Sequence, residues 1–197
     1  MLGYDAMDGQ GFAVFSTAIG PCGIAWGPRG VTGMQLPERD GPATRQQMRR
    51  RHPDAVESPP PHDVQRAIDD IVALLQGEPR DLSGIRLDMA TIPPFRQRLY
   101  AALRDIPAGA TVSYGELAAR LGEDFGARDV GEAMGKNPFP IIVPCHRVLA
   151  AGGKVGGFSA PGGVTTKLRM LQIEGARVGE APTLFSDLPL MAPRRRR

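Results

Sequence analysis

Apolar and polar positions first alternate and then regroup along the chain, and the change of period divides it. Phe12-Ala13-Val14-Phe15-Ser16-Thr17-Ala18 is an apolar, strand-like run, and Gly20-Pro21 turns the chain behind it. Ile24-Ala25-Trp26 follows, closed by Gly27-Pro28-Arg29-Gly30, and Val31 to Leu36 supplies a third run. Short β-forming runs bounded by Gly and Pro predict a β-meander. Thr44 to Arg51 then predicts a short basic helix. From Asp63 to Gln76 the residues Val64, Ala67, Ile68, Ile71, Leu74 and Leu75 fall on one helical stripe, with Gly77 near its end. Ser58-Pro59-Pro60-Pro61 between the two is loop, and Ile85 to Met89 predicts one more strand. Residues 1–90 therefore predict a small α/β support domain with no visible chemistry.

A second unit, residues 91–177, opens at Thr91-Ile92-Pro93-Pro94. Phe95, Leu99, Ala102, Leu103 and Ile106 repeat at helical spacing until Pro107-Ala108-Gly109. Ser113-Tyr114-Gly115-Glu116 is a capping box, in which the Ser113 hydroxyl accepts from the Glu116 N–H while the Glu116 side chain reaches back. The helix it starts carries Leu117, Ala118 and Leu121. A second helix runs from about Ala127 to Lys136, and Asn137-Pro138 closes it because the residue before proline leaves the α region. Two short helices joined by a tight turn predict a helix-turn-helix. Ala127, Gly131, Ala133 and Gly135 give the second helix a slim face, which suits either close packing on the protein's own core or insertion into the narrow minor groove of DNA. The fold class expected is α+β, with a mostly helical, winged-helix-like second domain.

Composition narrows the partners only slightly. The net charge is +3, with nine basic against twelve acidic residues in 1–90 and eleven against seven in 91–177. A basic second half fits a polyanion, and a solvated surface would also produce so small an excess. Residues 178–197 contain three prolines and end in Arg194-Arg195-Arg196-Arg197, which predicts a flexible tail. No apolar run approaches the roughly 20 residues needed to span a membrane, and the first residues have neither a basic nor an apolar region of a secretory signal. A cytoplasmic protein is expected. Of the two cysteines, Cys22 sits among apolar neighbours and reads as core; CxxC and CxxH spacings are absent, so no metal site is expected.

Pro138-Phe139-Pro140-Ile141-Ile142-Val143-Pro144-Cys145-His146-Arg147-Val148 is the most informative stretch. Three β-branched residues bounded by prolines predict a buried extended segment, and Pro144 takes the chain out of regular pairing at Cys145. A free thiol, with a pKa near roughly 8.5, is mostly protonated at neutral pH, so a histidine able to take its proton would activate it. Neighbouring residues on a strand face opposite ways, so a bridging water or a kink would be needed between Cys145 and His146. A Cys-His dipeptide alone is a weak signal and fits a buried structural pair better than a reactive one. A cysteine hydrolase would draw its histidine from another segment, where only His52 and His62 remain.

The full run decides more. Asn137-Pro138, then Pro144-Cys145-His146-Arg147-Val148, then Gly156-Gly157-Phe158-Ser159 resembles the O6-alkylguanine-DNA alkyltransferases, whose hallmark Pro-Cys-His-Arg-Val segment stands here unbroken. The resemblance is strong over about residues 91–177 and includes Thr111-Val112-Ser113-Tyr114, Arg128 and Glu174-Gly175. It implies DNA repair by irreversible, stoichiometric transfer of an alkyl group from O6-alkylguanine, and from O4-alkylthymine, to the protein's own cysteine, with no cofactor. Cys145 would be the acceptor, His146 would relay its proton, Glu174 would orient His146, and Asn137 would tie the recognition helix to the active-site segment. Tyr114 would press on the target nucleotide and donate to the flipped base. Met134, Pro140, Val148, Gly156, Phe158 and Ser159, with Tyr114, would hold the base, and Lys167 would lie behind the active-site loop. Arg128 would fill the vacated base stack, with Ser113, Ala127 and Gly131 facing the DNA. The partner implied is alkylated double-stranded DNA, bound through its minor groove by a monomer. Phe158 departs from the family's usual tyrosine and puts tolerance of bulky O6 groups in question. Non-catalytic damage recognition, or a helix-turn-helix regulator, is the alternative.

Overall fold

The computed structural model describes residues 9–122 and 125–178. The predicted meander forms, but its first turn is Ala18–Ile19 rather than Gly20-Pro21, which already pair with Thr17 and Ser16: β1 (Gly11–Thr17), β2 (Gly20–Gly27) and β3 (Gly30–Gln35) are joined by tight turns and pair antiparallel. A two-residue strand, β4 (Val56–Glu57), adds to β1 in parallel, giving the order β3-β2-β1-β4. The β2–β3 turn brings Gly27 opposite Gly30, and Gly30 needs a φ of 132°, a conformation that L side chains rarely adopt.

Ile85 to Met89 does not form the strand expected of it. Val31 alone bridges to Leu87, donating to Arg86 O and accepting from Asp88 N. Two hydrogen bonds to one residue do not make a ladder, and the Ile92 N–H then turns back to Met89 O. The first helix, α1 (Gly41–Arg51), begins three residues before the predicted Thr44, because Asp40 Oδ1 accepts from Ala43 N at 2.8 Å and Pro42 suits the first turn. In α2 (His62–Leu75) all six residues of the predicted stripe are buried.

In α3 (Pro94–Arg104) the sequence stripe omitted Tyr100, which is fully buried. Its ring stands edge-on to Phe139 at 6.5 Å, so it ties α3 to the active-site segment. The capping box forms as predicted at the start of α4 (Tyr114–Leu121): Ser113 Oγ accepts from Glu116 N at 3.1 Å, and Ser113 N donates to Glu116 Oε2 at 2.7 Å. The recognition helix of the predicted helix-turn-helix is α5 (Ala127–Gly135), and α6 (Gly163–Ile173) closes the described chain. A short parallel pair, β5 (Val112–Ser113) with β6 (Val148–Leu149), sets the start of α4 beside the Cys145 segment.

The chain is α+β. One continuous cluster of buried side chains runs from Ile24, Met34 and Ile71 through Leu99, Leu103 and Leu117 to Val143, Cys145 and Met170. The sheet is fastened to the segment between α5 and Cys145 by the Met34 N–H, which donates to Pro138 O at 2.8 Å. The predicted flexible tail falls, apart from Val178, outside the described residues. A Cβ at Gly30 would lie 2.5 Å from Arg86 O, against backbone that cannot swing away. Gly30→Ala should therefore destabilise the protein by about 2 kcal/mol or more, read as a lower urea midpoint at unchanged slope.

Candidate active site

The segment between α5 and Cys145 is buried as predicted, but it is a turn rather than an extended strand. Val143 N donates to Phe139 O at 2.8 Å, and Ile141 has a φ of 76°, an unusual conformation for a β-branched residue. Asn137 holds the turn from inside: its Oδ1 accepts from Phe139 N and its Nδ2 donates to Val143 O, both at 2.9 Å. Those bonds outweigh the cost of placing an isoleucine there. Cys145–Arg147 is a single 3-10 turn, so the kink required to decouple Cys145 and His146 from strand geometry is present.

Cys145 is 9% exposed. Burial pushes its thiol pKa up, opposed by a hydrogen bond from Asn137 and by the positive charge of Lys167. His146 Nε2 lies 2.9 Å from Glu174 Oε1. Burial holds the imidazole below its ordinary pKa against the pull of Glu174, helped by the Arg147 and Lys167 charges. A neutral ring facing a carboxylate carries its proton on Nε2, which leaves Nδ1 as the acceptor, and Nδ1 is buried with no hydrogen-bond partner among the described residues.

Glu174 is the anchor. Besides His146 it accepts from Arg147 Nε at 2.9 Å and Arg147 Nη2 at 2.8 Å, a bidentate pair, and Arg147 Nη1 donates to Ile106 O at 2.5 Å. Burial alone would raise the Glu174 pKa; the His146 and Arg147 hydrogen bonds and charges outweigh it and hold it at about 2. Arg147 was read only as part of the motif, although a charged residue inside an otherwise apolar run signals a buried partner. Lys167, fully buried, donates from Nζ to Val148 O at 2.5 Å. Burial lowers its pKa to about 8, opposed by the charge of Cys145.

A cavity of about 610 Å³ opens onto Cys145. Tyr114, Gly131, Met134, Asn137, Pro140, Phe158 and Ser159 line it, so most of the predicted base-binding residues meet there. The Tyr114 ring lies between Gly131 and Gly156, where an added Cβ would come within 3.6 Å of it on either side. Burial raises its phenol pKa, as does the Cys145 charge, so the hydroxyl keeps its proton. Gly156 and Val148 do not line the cavity; Val148 is fully buried, and its carbonyl is engaged by Lys167. Gln35, Leu36, Glu38, Gln47 and Arg51 do line it, although the sequence of residues 1–90 showed no chemistry. The only signal was Gln35, a polar residue within the apolar run that ends at Leu36.

On α5, Ala127 and Arg128 are exposed and Gly131 is half-buried. The two acids of this helix are tied off: Asp129 Oδ2 accepts from Gly126 N at 2.8 Å, and Glu132 pairs with Lys136 at 2.7 Å. The Ser113 hydroxyl is spent as the α4 cap. Among the described residues no three His, Cys, Asp or Glu side chains gather so as to hold a metal ion.

A helix-turn-helix, a buried thiol, a hydrogen-bonded His–Glu pair and a cavity that Cys145 lines are the parts that a DNA-binding protein acting through a thiol would use. Comparison with known proteins gives the same class. The family model described as 6-O-methylguanine DNA methyltransferase, DNA binding domain, matches residues 94–176. The methylated-DNA–protein-cysteine methyltransferase of Mycobacterium tuberculosis is 41% identical over 128 residues, 65% of this chain and 75% of that protein. That of Methanothermobacter thermautotrophicus is 34% identical over 153 residues, 78% of each chain. The crystal structure of Mycobacterium tuberculosis OGT in complex with DNA is 33% identical, with a TM-score of 0.64 over 83% of this chain and 92% of that one. The chain belongs to the methylated-DNA–protein-cysteine methyltransferase family.

Glu174 is depressed in the folded chain from 4.5 to about 2, so the stability it confers is complete above about 4.5 and is lost as the pH falls towards 2. Glu174→Gln should destabilise by about 3 kcal/mol at neutral pH. The gap from wild type should close as the pH is lowered through that window in a urea series; a gap independent of pH would refute the assignment.

Proposed function

We propose that this protein repairs DNA by moving the alkyl group of O6-alkylguanine, and of O4-alkylthymine, irreversibly onto Cys145. The observation that carries this reading is Cys145 lining a cavity roomy enough for a base while His146, held by Glu174, keeps a proton acceptor on Nδ1. The damaged atom is buried in the base stack, so the nucleotide is extruded at a cost of about a few kcal/mol. Arg128, exposed at the start of α5, fills the vacated space, and the slim face at Ala127 and Gly131 sits in the minor groove.

The chemistry balances without a cofactor. The thiol proton passes, through water, to His146 Nδ1, and the thiolate lone pair forms the new S–C bond. The C–O6 bond breaks with its electron pair left on O6, and the guanine takes a proton from the Tyr114 hydroxyl, which solvent restores. Asn137 fixes the turn that aims the sulfur, and Met134, Pro140, Phe158 and Ser159 enclose the base. Gly156 backs the Tyr114 ring, and Val148, its carbonyl engaged by Lys167, lies outside the cavity. The thioether has no easy way back, so each molecule acts once. Residues 91–177 carry this work and residues 1–90 support it, in a monomer that acts in the cytoplasm. None of the described helices is long and apolar enough to cross a membrane.

Incubation with an oligonucleotide bearing one O6-methylguanine should add a single methylene unit to the intact mass, mapped to Cys145, and Cys145→Ala should abolish it. Binding of the lesion by folded, reduced protein without any transfer would mean damage recognition alone. Tyr114→Phe should slow single-turnover transfer by about a hundredfold while changing DNA affinity only severalfold, the signature of a proton donor.

A further inference from the structure

Alkyl transfer accounts for the Cys145 end of the cavity but not for the wall built by residues 35–51. Gln35, the last residue of β3, is 3% exposed, and its amide is committed at three points. Its Nε2 donates to Leu36 O and to Glu38 Oε1, both at 3.0 Å, and its Oε1 accepts from Arg51 Nη1 at 2.9 Å. An amide fixed in this way is a rigid spacer, and it holds a guanidinium and a carboxylate at the border of the same cavity. Arg51 has five N–H groups, of which only one, on Nη1, is bonded among the described residues, and Glu38 Oε2 has no partner there. The wall therefore presents both spare donors and a spare acceptor.

A methyl group makes no use of such a wall. A longer O6 substituent carries atoms beyond the reacting carbon, and a cavity of about 610 Å³ has room for them beside a base. We propose that Arg51, Gln35 and Glu38 form a specificity subsite that favours O6 substituents ending in a hydroxyl over hydrocarbon substituents of the same length. A hydroxyl both donates and accepts, which matches a wall offering both. A hydrocarbon end would instead strip water from Arg51 and Glu38 and return no hydrogen bond. Phe158, with no hydroxyl of its own, leaves this polar recognition to the N-terminal half.

This inference rests on the alkyl-transfer reading, and its test separates the two. Single-turnover rates would be measured for duplexes carrying O6-(2-hydroxyethyl)guanine against O6-propylguanine, and O6-(4-hydroxybutyl)guanine against O6-pentylguanine, with O6-methylguanine alongside. Wild type should favour the hydroxyl partner about fivefold in at least one pair. Arg51→Met should bring that ratio close to one, and Arg51→Lys should keep part of it. Arg45→Met, on the same helix and paired with Glu57 outside the cavity, should leave the ratio as in wild type. Because each ratio is taken within one variant, a general loss of activity cancels. No preference in either pair, or a preference that survives Arg51→Met, overturns the subsite; failure to transfer methyl overturns the reading beneath it.

Discussion

A single buried carboxylate fixes the geometry on which the rest of the site depends. Glu174 ends α6, and its side chain, 1% exposed, takes one bond from His146 and two from Arg147. Arg147 passes the restraint to the loop just after α3 through Ile106 O. The 3-10 turn of Cys145–Arg147 is thus pinned from behind, and β6, directly after it, pairs with β5. That pairing sets Ser113, the cap of α4, and with it Tyr114. A desolvated carboxylate is costly unless every oxygen is bonded, and here both oxygens are. The restraint runs from one charge to the position of a ring at the other side of the cavity.

The same burial governs reactivity. Cys145 and Lys167 are both shifted towards their neutral forms by desolvation, and each charge would stabilise the other. The lysine, depressed to about 8, is close to the point where its proton is optional. A proton lost from Cys145 would therefore strengthen the hold of Lys167 on its own. Asn137 contributes a neutral donor to the sulfur while also bracing the Phe139–Val143 turn. Its amide serves backbone geometry and thiol electrostatics together.

Much of this was legible in the sequence, and the failures have physical causes. The α2 stripe and the Ser113–Glu116 capping box are local patterns, and both form as read. The Pro-Cys-His-Arg-Val run pointed to Cys145, and most of the neighbours expected of it do line one cavity with it. The start of α1 was missed because Asp40 acts as a cap at a position that periodicity does not register. Ile141-Ile142-Val143 was read as extended from its β-branched side chains, yet Asn137 imposes a turn through bonds no local propensity encodes. The wall formed by Gln35, Glu38 and Arg51 was invisible for another reason: it exists only because the two halves of the chain share a core.

The way α5 disposes of its charges has a consequence for how the protein senses ionic strength. Asp129 is turned back on the helix start and Glu132 is neutralised by Lys136, while Arg128 has no ion pair among the described residues. The helix thus carries one cation, Arg128, and one carboxylate, Asp129, without an ion pair among the described residues, and in the proposed docking it would meet a polyanion with little net charge. A protein that neutralises many phosphates releases a counterion for each and loses affinity steeply as salt is added. A helix that relies on shape and one long side chain releases few. Docked as proposed, its hold on the groove should be comparatively indifferent to salt, leaving most of the salt dependence to other basic residues.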